Sequence, residues 1–368
     1  MKKRVCMLIT DAVSFNVLCR GQLEFFCDNY DIELTLLCGG SREELDALRR
    51  RNVGKVVYVP FCRKPSPFQD FWCLVKLLFF LLFNRFDVVV YSTPKAMFLG
   101  ALSAFFSFQK KRISVIRGRA YEGFSGLKRR IYIWFDRLVV ALSSFNLVIS
   151  DSLRRSYICD GFKADDFTVL GAGSSNGVDL ERFSNIRKAK GEGGEFTVGV
   201  IGRICRDKGI EQVEKVINRV INEGGAVRFL LVGSIEDRIG RVVIDRLLEY
   251  ESVTHLPHID KIEEIFMSLD LHLFLTHREG FGNVAIEAAA CSVPTFAFDV
   301  VGVRDSVKNG VSGELFDFLD VEKLSDAVID AVRNPKVFKD RFSESRRWVV
   351  ENFERESVWH RYFSFYLK

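Results

Sequence analysis

Residues 276–299 read Thr-His-Arg-Glu-Gly-Phe-Gly-Asn-Val-Ala-Ile-Glu-Ala-Ala-Ala-Cys-Ser-Val-Pro-Thr-Phe-Ala-Phe-Asp. An apolar strand, Leu271–Leu275, runs into this stretch, and a second, Thr295–Phe298, lies within it. Between them sit a loop with two glycines and a helix of small residues. Gly280 and Gly282 lack side chains and let a ligand approach the backbone. The helix start near Asn283–Val284 offers backbone N–H donors and the positive end of a dipole, a setting that suits a diphosphate. Glu279 in the loop and Glu287 on the helix bracket that position, and carboxylates accept hydrogen bonds from hydroxyls. A ligand that combines phosphates with sugar hydroxyls, a nucleotide-sugar, fits the pattern.

Outward from this stretch the chain alternates strand and helix patterns. Strands are expected at Val5–Ile9, Glu33–Leu37, Lys55–Tyr58, Val88–Tyr91, Ile113–Arg117 and Asn146–Ile149, then at Thr197–Ile201, Arg228–Val232, Val253–His255, Leu271–Leu275 and Thr295–Phe298. Helices fit between them, among them Val17–Asn29, Gln69–Asn84, Lys95–Phe106, Lys128–Ser143, Gly209–Glu223 and Asn283–Ala290. This alternation implies parallel sheets with helices on both faces, an α/β doubly wound architecture. A length of 368 residues accommodates two such domains of about 180 residues each. Asn185–Glu195 is polar and glycine-rich and reads as the linker. Gly171–Gly177 has the look of a dinucleotide loop, but the short charged segment after it argues for a tight turn instead of nicotinamide or flavin binding.

Two cations, Arg203 and Lys208, follow the strand Thr197–Ile201 and flank the turn between them. Arg binds phosphate oxygens in a fork and Lys as a point charge, so both suit a diphosphate. Thr10, Asp11 and Ser14 follow the first strand and are candidates for a ligand-facing edge, and Asp305 and His258 are candidates for the border of the nucleotide pocket.

The run Arg-Glu-Gly-Phe-Gly-Asn-Val-x-x-Glu-Ala at 278–288 resembles the signature of family 4 retaining glycosyltransferases, which have the GT-B fold. Val198–Ile210 and Gly173–Phe183 resemble further segments of the same family. Ser92–Ala96, Arg117–Glu122 and Ser150–Leu153 resemble acceptor-domain segments of bacterial enzymes that build capsule or O-antigen repeat units on a lipid carrier. The resemblance implies two Rossmann-like domains facing across a cleft: residues 1–188 binding acceptor, residues 189–345 binding nucleotide-sugar, and a C-terminal helix at about 346–368 crossing back to the first domain. It assigns Glu279, Arg203 and Lys208 to the reaction, Gly280, Phe281, Gly282, Asn283, Val284 and Glu287 to the donor, and Lys95, Arg117, Glu122 and Asn176 to the acceptor side. By the same resemblance the donor is a UDP-sugar of the N-acetylhexosamine type, the acceptor a polyprenyl-diphosphate-linked saccharide, and no metal or other cofactor is required. A soluble acceptor, or a UDP-sugar 2-epimerase of the same fold, is the alternative. The family's acceptor-domain histidine is missing, since no histidine precedes His255.

Charge is unevenly placed. Residues 1–188 hold 29 Lys and Arg against 18 Asp and Glu, a net of +11, while the remainder is net −6. A basic half calls for an anionic partner. With no nucleic-acid motif, the cytoplasmic face of a membrane, contacted peripherally, or a diphosphate lipid is the better match than nucleic acid. The nine cysteines form no CxxC pair and read as buried thiols of a reducing, cytoplasmic compartment. The five histidines make no metal motif with them. Phe71–Phe83 and Ala96–Phe108, 13 residues each, are shorter than the roughly 20 needed to span a bilayer. Both read as helices of the first domain, with core burial favoured over membrane contact for Phe71–Phe83.

Overall fold

The computed structural model describes residues 2–62, 65–184, 195–223 and 225–368. The proposed linker therefore lies, apart from Glu195, outside the described residues. The chain divides into two compact units, residues 1–176 with 356–368 and residues 177–355. The first ends at Asn176, twelve residues before the expected boundary, and takes in only Glu356–Lys368 of the C-terminal tail.

The first unit is a seven-stranded parallel sheet: β1 (Lys3–Asp11), β2 (Ile32–Gly39), β3 (Lys55–Tyr58), β4 (Val88–Ser92), β5 (Arg112–Ile116), β6 (Phe145–Val148) and β7 (Phe167–Thr168), in the order β3-β2-β1-β4-β5-β6-β7. The second has six: β8 (Phe196–Ile201), β9 (Val227–Val232), β10 (Val253–Leu256), β11 (Leu271–Phe274), β12 (Thr295–Phe298) and β13 (Gly313–Phe316), in the order β10-β9-β8-β11-β12-β13. Helices cover both faces of such a sheet, so central strands must be apolar throughout. β4 and β11 are accordingly buried at every residue.

In each sheet the chain starts in the middle, runs to one edge, returns and runs to the other. The return leaves a crevice at the C-terminal ends of the two central strands, where no connection crosses. In the first unit the crevice lies between β1 and β4, and in the second between β8 and β11.

The structure departs from the sequence reading in several elements. The edge strands β7 and β13 escaped notice because β7 is two residues long and β13, Gly-Glu-Leu-Phe, opens on glycine. The expected helix Val17–Asn29 is two helices, Ala12–Leu18 and Gln22–Asn29, broken at Gly21 in the left-handed region with φ 74°. The tail is three helices, Pro335–Arg341, Ser345–Phe353 and Arg355–Leu367. Within the first unit the last helix packs its aromatic face on Gln22–Asn29, with Phe26 and Phe363 rings 4.1 Å apart. All nine cysteines are free, but Cys27 and Cys159 are exposed, not buried.

The Gly21 break leaves helix-end carbonyls to satisfy, and Arg51 satisfies them. Its guanidinium donates to the carbonyls of Phe15 (3.0 Å) and Cys19 (2.7 Å) and grips the Glu24 carboxylate through two bonds of 2.8 Å. Partial burial raises the Glu24 pKa, but the bonds from Arg51 outweigh it and hold the carboxyl below its usual range. Arg51→Met is expected to cost about 2 kcal/mol, read as a lower urea midpoint. Because a depressed carboxylate contributes stability only while ionised, the difference from wild type should shrink as pH falls through the Glu24 pKa.

Candidate active site

The crevice of the second unit is built by the loops that follow β8 and β11. After β8 the chain turns at Gly202, φ 140°, and places Arg203 beyond the strand end. It then makes a single 3-10 turn, Arg206–Lys208, and closes on Gly209, φ 75°, before the helix Ile210–Asn222. Gly209 is irreplaceable for two reasons. A side chain is strained at that φ, and an added Cβ would stand 1.9 Å from the Leu275 carbonyl oxygen. The loop thus lies directly on the end of β11, and this contact delivers Lys208 to the loop after β11.

There the Lys208 ammonium is bonded to the Glu279 carboxylate and lies 3.5 Å from Thr276 Oγ1. Arg278 pairs with Asp207 at 2.7 Å, and the His277 backbone N–H donates to the Asp207 carbonyl at 3.1 Å, pinning the two loops together. Arg203 reaches Glu236 at 2.7 Å while half exposed. Gly282, φ 84°, begins the helix Asn283–Ala290, and its missing side chain leaves room for Phe274, whose ring would lie 2.8 Å from a Cβ.

These residues enclose a cavity of about 270 Å³ whose lining includes Gly202, Arg203, Lys208, Glu279, Gly282, Asn283 and Val284. Two cations, one carboxylate and a helix N-terminus therefore converge at one sheet crevice, as an anionic ligand bearing hydroxyls requires. Phe281 is not part of the lining: it is buried with its ring 5.3 Å from that of Phe353. Gly280 and Glu287 also lie outside it. Glu287 sits in the helix among buried alanines, where burial pushes its carboxyl up to about 7 against the opposing pull of the Arg182 guanidinium. His258 is exposed and paired with Asp260 at 3.1 Å, and neither it nor Asp305 lines the cavity. Buried His272, on β11, is held neutral by burial, its pKa lowered to about 3, with Nδ1 3.1 Å from Thr295 Oγ1.

The matching crevice of the first unit carries different chemistry. Thr10 and Asp11 at the end of β1, Ser14 just beyond it, and Thr93 and Lys95 after β4 border a largely apolar cavity of about 690 Å³ walled by Phe98, Phe124, Tyr132 and Phe135. Lys95 is in this lining and pairs with Asp70 at 2.7 Å. Thr93 takes φ 70°, an outlier for a β-branched residue. It is held there by the Thr10 backbone N–H, 3.1 Å from its Oγ1, and by the Thr10 hydroxyl at 2.7 Å. No sequence signal announces Thr93, because a residue before proline is expected to be extended with negative φ. Asp70 was also missed, as one acid at the start of an apolar helix. Arg117 lies apart from this cavity, beside Ser92 Oγ (3.2 Å), Ser175 and Asn176 Oδ1 (3.3 Å). Glu122 is held inside an ion-pair network, 2.8 Å from Arg119, which also reaches Asp160 at 2.9 Å. Among the described residues no group of three or more His, Cys, Asp or Glu is placed to hold a metal ion.

Two Rossmann-type units are thus present, one with two cations, a carboxylate and a helix start at its sheet crevice. The family model "Glycosyl transferases group 1" matches residues 182–349, and "Glycosyltransferase Family 4" matches residues 28–182. Together these adjoining matches run from 28 to 349, and the chain belongs to the glycosyltransferases that join these two domains. The capsular polysaccharide biosynthesis glycosyltransferase CapM of Staphylococcus aureus is 29% identical over 377 residues, covering 99% of this chain and 97% of the relative. The poly(ribitol-phosphate) alpha-N-acetylglucosaminyltransferase of S. aureus strain COL is 26% identical over 167 residues, 45% of this chain and 34% of that protein. Anabaena Alr3699/HepE, solved in complex with UDP and glucose, superposes with a TM-score of 0.78 at 17% identity, covering 99% of both chains. TarM superposes with a TM-score of 0.75 at 15% identity, covering 100% of this chain and 99% of that one. These likenesses establish the GT-B fold.

Two expectations follow from the site's construction. Gly209→Ala is expected to destabilise by at least about 2 kcal/mol, read by chemical unfolding, and to abolish glycosyl transfer by displacing the loop that carries Lys208. For Glu287, a carboxyl with a raised folded-state pKa favours the fold while protonated. Its contribution is lost as pH rises from about 4.5 to about 7. Glu287→Gln should therefore gain stability relative to wild type between pH 5 and pH 8, measured as the difference in urea midpoints.

Proposed function

We propose that this glycosyltransferase is a retaining enzyme of surface-polysaccharide assembly, moving a sugar of the N-acetylhexosamine type from a UDP-sugar to a polyprenyl-diphosphate-linked saccharide. The observation that carries the donor half is the meeting of Arg203, Lys208 and Glu279 at the start of helix Asn283–Ala290. The full-length similarity to CapM supports the capsule-type setting, and the solved HepE complexes with UDP support the choice of nucleotide.

In this reading the donor diphosphate lies between Arg203, Lys208 and the helix N-terminus, and Lys208 exchanges its bond with Glu279 for one with phosphate. Glu279, released, accepts a hydroxyl of the donor sugar, and Glu287 holds the ribose. The bond between the sugar's anomeric carbon and the diphosphate oxygen breaks as the acceptor oxygen attacks the same face. The acceptor's proton passes to the departing phosphate oxygen. Fixed cations stabilise the charge that develops on the leaving group, the task a metal ion performs in other transferases. The acceptor sugar fits the first unit's crevice, where Thr10, Asp11 and Asp70 present hydroxyl-binding groups beside aromatic walls. The basic first half supports peripheral contact with an anionic membrane face on the cytoplasmic side.

The test is transfer of label from a panel of UDP-, GDP- and ADP-sugars into the lipid fraction of membranes. One UDP-sugar should label that fraction, with EDTA without effect. Lys208→Met should lower kcat on the order of 10²–10³-fold, and Glu279→Gln should lower it with little change in UDP affinity. Labelling of water-soluble saccharides alone would sink the lipid-linked acceptor, and turnover of only a GDP- or ADP-sugar would sink the UDP assignment.

A further inference from the structure

The helix Pro67–Phe83 carries apolar side chains on every side, interrupted only by Gln69, Asp70 and Lys76, yet only one side is covered. Cys73, Leu77 and Leu81 are buried, the helix packing on its neighbour Pro94–Phe106. The opposite face exposes Phe68, Phe71, Trp72, Phe79, Leu82 and Phe83, the last 82% exposed. In water a helix that is apolar all round belongs inside a core or a bilayer. Beside its C-terminal end the helix Pro94–Phe106 and the turn after it expose Phe105, Phe106 and Phe108. Among the exposed aromatic side chains of the described residues, all but Phe318 belong to the first unit.

Phe108 shows that this exposure is built and not incidental. It is 77% exposed and sits in the left-handed region, φ 57°, where a bulky side chain is disfavoured. The turn beneath it is fixed. The buried Gln109 amide donates to the carbonyls of Leu81 (2.6 Å) and Asn84 (3.1 Å), and Arg85 bonds the carbonyls of Ser107 and Phe108. An asparagine or glycine would fit this backbone at lower cost, so the phenylalanine ring is kept where it costs stability in water.

We propose that this face is a membrane-docking surface: Pro67–Phe83 lies in the interface of an anionic bilayer, with Phe79, Phe83 and Phe108 as its anchors. This deepens the peripheral membrane contact of the preceding reading. The helix of 17 residues is about 25 Å long, short of the roughly 30 Å hydrocarbon core, and its inner face is occupied by protein. Among the described residues no helix is long and apolar enough to cross a membrane, so the helix lies along the surface.

Charge selects the occupant. Residues 71–112 carry six Lys and Arg and a single acid, Asp87, which accepts the Arg4 backbone N–H at 2.7 Å. Exposed Lys76, Arg85 and Lys110 rim the aromatic face. Across a two-fold axis such a surface would set cation against cation, whereas anionic headgroups neutralise them. The N-terminal end of the same helix, Pro67 and Asp70, borders the first unit's crevice. A docked bilayer therefore brings a lipid-tethered acceptor to that crevice.

The test is flotation of the full chain with phosphatidylcholine vesicles, with and without phosphatidylglycerol, in the absence of any sugar. Wild type should float with the anionic vesicles and lose binding in high salt. Phe83→Gln and Phe108→Asn should each lower partitioning on the order of tenfold. Phe108→Asn should do so with an unchanged or higher melting temperature, which excludes misfolding as the cause. Transfer to a water-soluble acceptor should be unaffected in both, so failure of docking and failure of the donor assignment read out separately. Equal flotation of wild type and variants overturns the proposal, as does equal binding to neutral and anionic vesicles. A wild-type dimer made monomeric by these substitutions, without vesicle binding, also overturns it.

Discussion

The close approach of two backbones, Gly209 on the Leu275 carbonyl, is the constraint on which the cavity of the second unit depends. The loop after β8 and the loop after β11 come from strands that are neighbours in the sheet but 70 residues apart in sequence. Only a residue without a Cβ, able to take a positive φ, allows them to touch. Given that contact, Lys208 meets Glu279, Arg278 meets Asp207, and the Asn283–Ala290 helix starts beside both loops. A cation held by a carboxylate keeps a fixed orientation toward the cavity that both line. The ion pair thus orients the Lys208 ammonium as much as it stabilises the fold.

The same topological event occurs in both units with different results. Each sheet reverses its winding direction at its centre, and each reversal opens a crevice at the strand ends. In the second unit the crevice is filled by cations, glycines and a helix start. In the first it is filled by hydroxyls, carboxylates and aromatic walls, with Thr93 held at positive φ by two bonds to Thr10. Charged phosphates require the first kind of lining, and neutral saccharide surfaces, which present hydroxyls and apolar ring faces together, are matched by the second.

Much of this was legible in the residues because it rests on local patterns. The strands β8 and β11, the loops after them, and the helix Asn283–Ala290 each carry their own signature of apolar run, glycine and small residue. Arg203, Lys208, Glu279, Gly282, Asn283 and Val284, which those patterns single out, line one cavity. What escaped depends on tertiary partners. The break at Gly21 is stabilised by Arg51, 30 residues away in the chain. The direction of a side chain within a motif is decided by what packs on it, so Phe281 turns to Phe353 although Glu279 and Gly282 line the cavity. Glu122, which the resemblance assigns to the acceptor side, pairs with Arg119 in a network that also involves Asp160, a partner its sequence position does not announce. The two-residue β7 has no periodicity to detect.

The helix Pro67–Phe83 shows where composition misleads most. Its Leu and Phe content suits a core, and core burial is the reading that sequence favours. Yet a helix on the outside of a doubly wound sheet has one neighbour-facing stripe, and Cys73, Leu77 and Leu81 already fill it. Phe80 adds one more inward contact, on Phe86, while Phe68, Phe71, Trp72, Phe79 and Phe83 face outward and add exposed area. Natural surfaces rarely keep so large an apolar patch without a use for it, and here the patch is rimmed by cations and ends in a phenylalanine held in an unfavourable backbone conformation. Burial against a second medium accounts for all three features at once. Core packing accounts for none of them, since the side chains concerned are the ones the core does not touch.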